Sequence, residues 1–298
     1  MQENMTALVS AFARAWHTEH ALLPVHADPL AKQFLGEHDY TLIGQHMAQG
    51  IDFFSPGFKG NEEDALAHIV THHLAPSPVG RSAFWENALK TAVSLGTTQL
   101  LILGAGYETF PYRQPEWAKK LTIFELDRTE DQKAKLLRLE NTGISIPSNV
   151  RHIAADLTDA DWTASLLAAG FSPKKTTFCC LMGLSYYLTR TEFPQLVSTL
   201  DELLPPGSSL VFDYPTPRLA QAQIDLAQGA GEPIRGLYTF REMETLLPRR
   251  GFLVYEHLTP KDITARFFAS HNAVSPHRTM EAAPGVNYCL AVKKDPGP

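Results

Sequence analysis

Several large protein classes are closed to this chain by what it lacks. Cysteine occurs only three times in 298 residues, at Cys179, Cys180 and Cys289, with no Cys-x-x-Cys pair. A sparse, odd set is no disulfide framework, and it suits a reducing, cytoplasmic setting. Basic charge is not in excess: 26 Lys and Arg against 32 Asp and Glu leave a net charge of −6. That removes the electrostatic case for nucleic acid as a main partner. No run of about 18 uninterrupted apolar residues exists, so no membrane-spanning helix is expected. Met1 to Ala15 lacks the basic start and apolar core of a signal peptide. Internal repeats and long low-complexity tracts are also missing.

What remains is a composition that is 44% hydrophobic, enough for a full-sized core without staples. Up to about Arg81 the pattern reads as helices and loops, with helices at 6–20, 29–35 and 62–73. Asn61 ahead of Glu62, Glu63 and Asp64 is a good N-cap with acids in the first turn. Residues 50–60, carrying Phe53, Phe54 and Phe58, read as an aromatic loop, a candidate lid. A helix over 84–94 follows. From there strands alternate with helices: strands at 99–103, 121–125, 150–154, 177–181, 208–213, 253–257 and 287–292, helices at 129–140, 160–169, 190–204 and 239–249. Such alternation implies a mainly parallel α/β sheet with helices on both faces. The last two strands are expected to form an antiparallel pair at the sheet edge. The organisation expected is a helical cap over 1–80, on the substrate side, and a cofactor-binding α/β domain over 81–298.

The most informative segment is the apolar run Leu100 to Leu103 that stops at Gly104-Ala105-Gly106. Glycines there let the backbone turn sharply and approach a ligand. The next strand runs into Glu125-Leu126-Asp127. Strand, Gly-x-Gly turn and acids at the following strand end are how an open α/β sheet holds a nucleoside, with a carboxylate on the ribose hydroxyls. Glu125 and Asp127, two apart on a strand, face the same way; Asp127 is the expected ribose ligand with Glu125 behind it, and the alternative for Asp127 is to cap the helix that follows. Asp156 ends the third strand, where its carboxylate can accept from an adenine amine or cap a turn. A dinucleotide fingerprint would want a third glycine at position 109, which is Thr. This favours S-adenosyl-L-methionine over NAD, and an NAD-dependent oxidoreductase stays as a competing reading.

Taken in order, the segments resemble the leucine carboxyl methyltransferase family, in its bacterial branch of small-molecule O-methyltransferases. The matching stretches are Asp28-Pro29-Leu30-Ala31, Arg81, Leu103 to Thr109, Tyr112-Arg113, Phe124 to Asp127, Ala155-Asp156-Leu157, Gly183 with Tyr187-Leu188, Gly231 to Arg235 and Arg250-Gly251-Phe252. The resemblance implies a class I methyltransferase (Rossmann-like) fold with a seven-stranded sheet, and S-adenosyl-L-methionine as cofactor. It implies Arg81 on the methionine carboxylate, Gly104, Ala105 and Gly106 beneath the cofactor, Glu125 or Asp127 on the ribose, and Asp156 and Leu157 by the adenine. On the fourth strand the family usually has Glu-Gly; here Met182 precedes Gly183, so a carboxylate expected near the sulfonium is replaced by a thioether. That departure motivates a second reading, a protein that binds the cofactor but runs atypical chemistry or none. The acceptor is expected to be a small, apolar or aromatic molecule, such as a secondary-metabolite acid or phenol. Tyr186, Tyr187 and Arg235 are the substrate-side candidates, since ligands bind beyond the strand ends. Arg113 either assists Arg81 or anchors its loop. His17, His20 and His26 are possible substrate-side groups that nothing singles out. His68 and His72 stand at a spacing that can bind a metal, but no third ligand accompanies them, so no metal is expected.

Overall fold

A computed structural model describes residues 4–159, 161–219, 221–229 and 231–295. The chain opens with helices α1 (Met5–His20), α2 (Ala31–Leu35), α3 (Glu37–Gln49), α4 (Ile51–Phe54), α5 (Glu62–Ile69) and α6 (Pro76–Ser94). Asn4 caps α1 by accepting from the Ala7 amide at 2.9 Å, and Asn61 and Asp64 form a reciprocal capping box on α5. The boundary between cap and α/β domain expected after residue 80 falls inside α6. Pro76 and Pro78 look like helix breakers, yet α6 begins at Pro76. Its first amides have no partner within the helix in any case, so prolines there cost little. A wide π-type turn over Val70–Leu74, closed by the Ala75 amide on the Val70 carbonyl, joins α5 to α6.

The remaining chain alternates as β1 (Gln99–Leu103), β2 (Thr122–Asp127), α7 (Thr129–Asn141), β3 (Val150–Ala154), α8 (Trp162–Ala168), β4 (Thr177–Leu181), α9 (Glu192–Leu203) and β5 (Ser209–Pro215). Then come α10 (Gln221–Gly229), α11 (Phe240–Leu246), β6 (Phe252–Leu258), α12 (Pro260–Ile263), α13 (Ala269–Val274) and β7 (Val286–Lys293). The helix expected over 160–169 begins at Trp162; Ala160 itself lies outside the described residues. The seven strands form one sheet in the order β3-β2-β1-β4-β5-β7-β6. Six run in one direction, and β7 alone is reversed, antiparallel to both β5 and β6. This is the seven-stranded layout implied by the family resemblance.

One expectation needs correction, and two helical runs stand where the sequence pattern marks none. Residues 50–60 are not wholly a loop, since α4 occupies 51–54, and α3 precedes it where the sequence pattern marks no element. Within α3 only Gly44 and Ala48 are buried, so its apolar stripe is too thin to announce a helix by periodicity. Between β6 and β7 the chain does not merely loop back. It forms a helical run over 260–274 that starts at the capping box Thr259/Asp262 with Pro260 in the first turn.

β1, β4 and β5 are buried along their whole length, as parallel strands covered on both faces are. Their side chains alternate between two cores. Leu100, Ile102, Phe178 and Cys180 join Phe12, Phe34, Val79 and Trp85 of the N-terminal helices. Leu101, Leu103, Cys179 and Leu181 join Phe193, Leu196 and Leu200 of α9 on the other face. The first helices therefore share one continuous core with the sheet.

Candidate active site

β1 and β4 are neighbours although β2 and β3 lie between them in sequence, so the connections run off in opposite directions and leave a crevice beyond their C-terminal ends. This is where open α/β sheets take ligands. A cavity of about 600 Å³ occupies the crevice. Its floor is Gly104-Ala105-Gly106 with Tyr107 and Glu108, and its nucleoside-sized flank carries Asp127, Arg128 and Ala155 to Thr158. The opposite wall is Met182-Gly183-Leu184 with Tyr187 and Leu188, and α6 supplies Arg81 and Trp85. The roof comes from two segments far apart in sequence: Asn4, Thr6, Ala7, Ser10 and Arg14 of the N-terminal region on one side, Gly231 to Pro233 and Arg235 on the other. Asn4 Nδ2 donates to Glu232 Oε1 at 3.1 Å and ties the two together.

Gly104 and Gly106 have φ of +64° and +43°, a region L side chains rarely adopt. A Cβ on Gly104 would lie 3.0 Å from Leu184 Cδ1. The turn is thus built for close approach. Asp127 Oδ2 accepts the Gly106 amide at 2.7 Å and Oδ1 accepts the Arg128 amide at 2.9 Å. Burial pushes the Asp127 carboxyl up to about 6, with Asp131 adding to the rise, against those two amides. An acid held this way gains from hydroxyl donors, which is the chemistry of a ribose. Asp156 Oδ1 accepts both the amide and the hydroxyl of Thr158, at 2.9 and 2.7 Å, and these bonds lower its pKa. It closes a turn and borders the cavity at once. The glycine cradle, with Asp127 and Asp156 on one flank and Arg81 on the other, fits a nucleoside joined to an amino acid.

Arg81 borders the cavity, with its Nε 2.5 Å from Asp213 Oδ2. Burial opposes its charge, but Asp213, Tyr186 and Tyr288 together outweigh burial and leave the Arg81 pKa raised. Met182, Leu157, Tyr187 and Arg235 also stand on the cavity wall. Two expected residues do not. Glu125 is fully buried two positions back along β2, where α7 covers it. There it meets Lys135 Nζ at 2.5 Å, the Tyr112 hydroxyl at 2.5 Å and His152 Nε2 at 3.1 Å. It shares a strand side with Asp127 but not the ligand space. Tyr186 is turned into the core, its hydroxyl donating to Asp213 Oδ2 at 2.8 Å, while the neighbouring Tyr187 takes the cavity side. Phe53, Phe54 and Phe58 stand outside the cavity wall, with Phe54 and Phe58 against His73 and His68. The histidines His17, His20 and His26 are likewise outside it; His26 pairs with Glu86 at 3.1 Å. Among the described residues no group of three or more metal-binding side chains occurs, and no helix is long and apolar enough to cross a membrane.

Arg14 is the functional-site residue that sequence reasoning missed. Its Nε donates to Asp28 Oδ2 at 2.9 Å and its Nη2 to the Tyr107 carbonyl at 2.6 Å. Asp28 is buried and also accepts the Thr109 hydroxyl at 2.7 Å, with Arg113 Nε 3.4 Å away. Arg113 in turn pairs with Glu86, so it anchors the loop. Burial alone would raise the Asp28 pKa, but Arg14 and Arg113 hold it below the usual carboxylate range. The signal for Arg14 was its place one turn after Ser10 on α1, inside an otherwise apolar stretch. Because Asp28 ties α1 to the loop that follows the glycine turn, Asp28→Asn is expected to cost about 2 kcal/mol, the worth of a hydrogen bond to a charged partner. Urea unfolding of the two proteins measures this, and equal midpoints would refute it.

Comparison with known proteins places these features in one group. The family model for leucine carboxyl methyltransferases matches residues 7–201. YktD of Bacillus subtilis, assigned as an S-adenosyl-L-methionine-dependent methyltransferase, is 35% identical over 98% of this chain and 99% of its own. A Mycobacteroides abscessus protein with the same assignment is 29% identical over 81% of this chain and 76% of its own. Among solved structures, a DUF574 family protein from Streptomyces avermitilis superposes with a TM-score of 0.55 at 18% identity, covering 83% of this chain and 96% of that one. A protein from Thermobifida fusca, described as a methyltransferase, gives 0.55 at 16% identity, covering 85% and 95%. At such identities the two structures speak to the fold alone.

Proposed function

Since the chain belongs to the leucine carboxyl methyltransferase family, whose members draw on S-adenosyl-L-methionine, we propose that this methyltransferase transfers the methyl group to an oxygen of a small, apolar or aromatic acceptor. The observation that carries the reading is the brace between Asp127 and the Gly106 amide at the mouth of the β1–β4 crevice. Asp127 takes the ribose hydroxyls, Asp156 and Leu157 border the adenine, the glycine turn passes beneath, and Arg81 meets the methionine carboxylate with a fixed fork. When bound, the cofactor supplies an electrophilic methyl on a sulfonium.

The protein's own share is alignment and exclusion of water. No histidine stands among the described residues of the cavity wall, and burial, with Glu232 adding, pushes the Tyr187 phenol up to about 12. Tyr187 therefore stays protonated at neutral pH and is no base. An acceptor carboxylate is already ionised there and needs none, whereas a phenol would want one. The carboxylates on the wall, Glu108, Asp127, Asp156, Glu192 and Glu232, are the bases a phenol could use, so the accepting oxygen is that of a carboxylate or a hydroxyl. Trp85, Leu184, Tyr187 and Leu188 offer it an apolar wall, and Arg235, exposed at the rim, can steer an anion inward. The partner is thus a small molecule rather than a nucleic acid.

Calorimetric titration with S-adenosyl-L-methionine, S-adenosylhomocysteine and NAD tests the cofactor site. Micromolar binding of the two sulfur nucleosides and none of NAD is expected. NAD binding in their place would move the protein to oxidoreductase chemistry. An acceptor screen pairing aromatic and aliphatic acids with the matching phenols then tests the acceptor class. Turnover only with highly charged metabolites would overturn the apolar acceptor. Tight cofactor binding with no turnover would favour the binding-only reading that the uncharged Met182 motivates.

A further inference from the structure

One buried carboxylate outside the cavity wall has more functional contacts than any fold element needs. Asp213, near the end of β5, is fully buried. Its Oδ2 takes Arg81 Nε at 2.5 Å and the Tyr186 hydroxyl at 2.8 Å. Its Oδ1 takes the Gly183 amide at 2.6 Å. Both groups it holds by charge or backbone, Arg81 and Gly183, stand on the cavity wall. The strand register makes the link direct: Leu181 of β4 pairs with Phe212 of β5, so Met182 and Asp213 come next to each other where the strands end.

The geometry around Gly183 shows how tightly the parts are set. Gly183 has φ of +75°, and a Cβ there would lie 3.0 Å from Arg81 Nη1. The guanidinium packs directly over the turn, with its Cζ 5.2 Å from the centre of the Tyr186 ring. Among the described residues Asp213 is the only carboxylate within ion-pair distance of Arg81. That contact uses the Nε edge, Tyr186 also hydrogen-bonds the guanidinium, and Arg81 borders the cavity, where a planar acceptor can meet its Nη side.

We propose that Asp213 is a positioning residue for cofactor binding: it fixes Arg81 through Nε and the Gly183 turn through its amide, so that the Nη side of Arg81 is presented to the ligand's carboxylate. The guanidinium would otherwise have a long, rotatable stem and several orientations in the crevice. With Asp213 behind it, much of the ordering cost is met before ligand arrives, which is the source of affinity in a preorganised site. Asp213 itself touches no ligand in this scheme. The proposal rests on the reading that Arg81 meets the cofactor's carboxylate.

The test compares two ligands that share the adenine and ribose. S-adenosylhomocysteine carries the amino-acid carboxylate; 5′-methylthioadenosine lacks it. In Asp213→Asn, affinity for S-adenosylhomocysteine is expected to fall by about 10- to 100-fold, as for other outer supports of a binding group, while affinity for 5′-methylthioadenosine stays within about twofold. Arg81→Met should show the same selective loss, and the double variant should bind no more weakly than Arg81→Met alone, because the two act through one contact. Equal loss for both ligands in Asp213→Asn would make Asp213 a support of the fold and overturn the proposal, as would no loss for either. If Arg81→Met loses nothing selectively, the reading of Arg81 itself fails. If it does and Asp213→Asn does not, only the role of Asp213 fails. Should Asp213→Asn not fold, Tyr186→Phe, which removes one donor from the same oxygen, decides the matter: a smaller loss of the same selectivity supports the proposal, and unchanged affinities refute it.

Discussion

Asp127→Asn is expected to stabilise the ligand-free protein and to weaken its hold on the cofactor in the same stroke. In the folded chain the carboxyl of Asp127 is pushed by burial from 3.8 to about 6. A carboxylate with a raised pKa favours the folded state below its unfolded value, and that contribution is lost as pH rises through the folded value. At pH 7.5 the ionised group therefore costs the native state up to about 3 kcal/mol, since each tenfold change in acidity corresponds to about 1.4 kcal/mol. Asparagine removes the charge and can still accept the Gly106 amide, but its NH2 then faces the Arg128 amide that Oδ1 accepts in the native protein, which offsets part of the gain. Urea unfolding at pH 7.5 should show the variant more stable, with the advantage gone below about pH 4. Its affinity for S-adenosylhomocysteine should be about 10- to 100-fold lower, since bonds from ribose hydroxyls to a charged acceptor are the strong kind. The native protein should itself bind more weakly as pH falls through 6. A variant that is no more stable at pH 7.5, or native binding flat between pH 7.5 and 5, would contradict the account.

The second large effect is one of stability alone. Lys135→Met is expected to destabilise the protein by about 3–5 kcal/mol, because it leaves the Glu125 carboxylate buried without its cation. The pair is 2.5 Å apart, with side-chain exposures of 1% and 0%. Burial by itself would raise the Glu125 pKa, but Lys135 and then His152 outweigh it and the net shift is downward. A depressed carboxylate contributes stability above its unfolded value, 4.5, and loses it as pH falls through the folded value. In the variant that stabilisation is gone, so the gap between native and Lys135→Met should narrow as pH drops from 7 toward 4. The double variant Glu125→Gln/Lys135→Met should recover most of the loss, since an uncharged buried pair is near neutral. Chemical denaturation of the three proteins across that range is the measurement. A single variant within about 1 kcal/mol of the native protein, below the cost of orphaning a buried charge, would refute it.

The two carboxylates at the end of β2 also show how far sequence reaches. Both are visible as acids two apart, and alternation puts them on one side. What alternation does not contain is depth: Asp127 stands at the strand's last position, open to the glycine turn, and Glu125 stands where Tyr112 and Lys135 close over it. Lys135 comes from a helix whose rotation about its own axis is set by packing, so the pairing is not local information. The strands read well because β1 and β4 are unbroken apolar runs bounded by turns. α3 and the helical run over 260–274 read poorly because their signals lie in caps and partial stripes. Tyr186 and Tyr187 illustrate the same limit, adjacent in sequence and sent to opposite sides by a turn at Gly183. Arg14 and Asp213 could not be found by motif, since each acts through a partner far along the chain.

The place of β7 has a consequence for how the molecule is made. The last strand in sequence is not at the sheet's rim; it lies between β5 and β6, pairing with both along almost its whole length. Until Val286–Lys293 leaves the ribosome, β5 has an open row of backbone donors and acceptors, and β6 has no neighbour at all. A nascent or prematurely terminated chain thus displays the unpaired edge that chaperones and proteases recognise and that drives aggregation, even though the glycine turn, Asp127, Arg81 and Asp213 have all been synthesised. The sheet therefore closes only once β7 is in place, after every residue of the glycine turn and of the Arg81–Asp213 pair has been made.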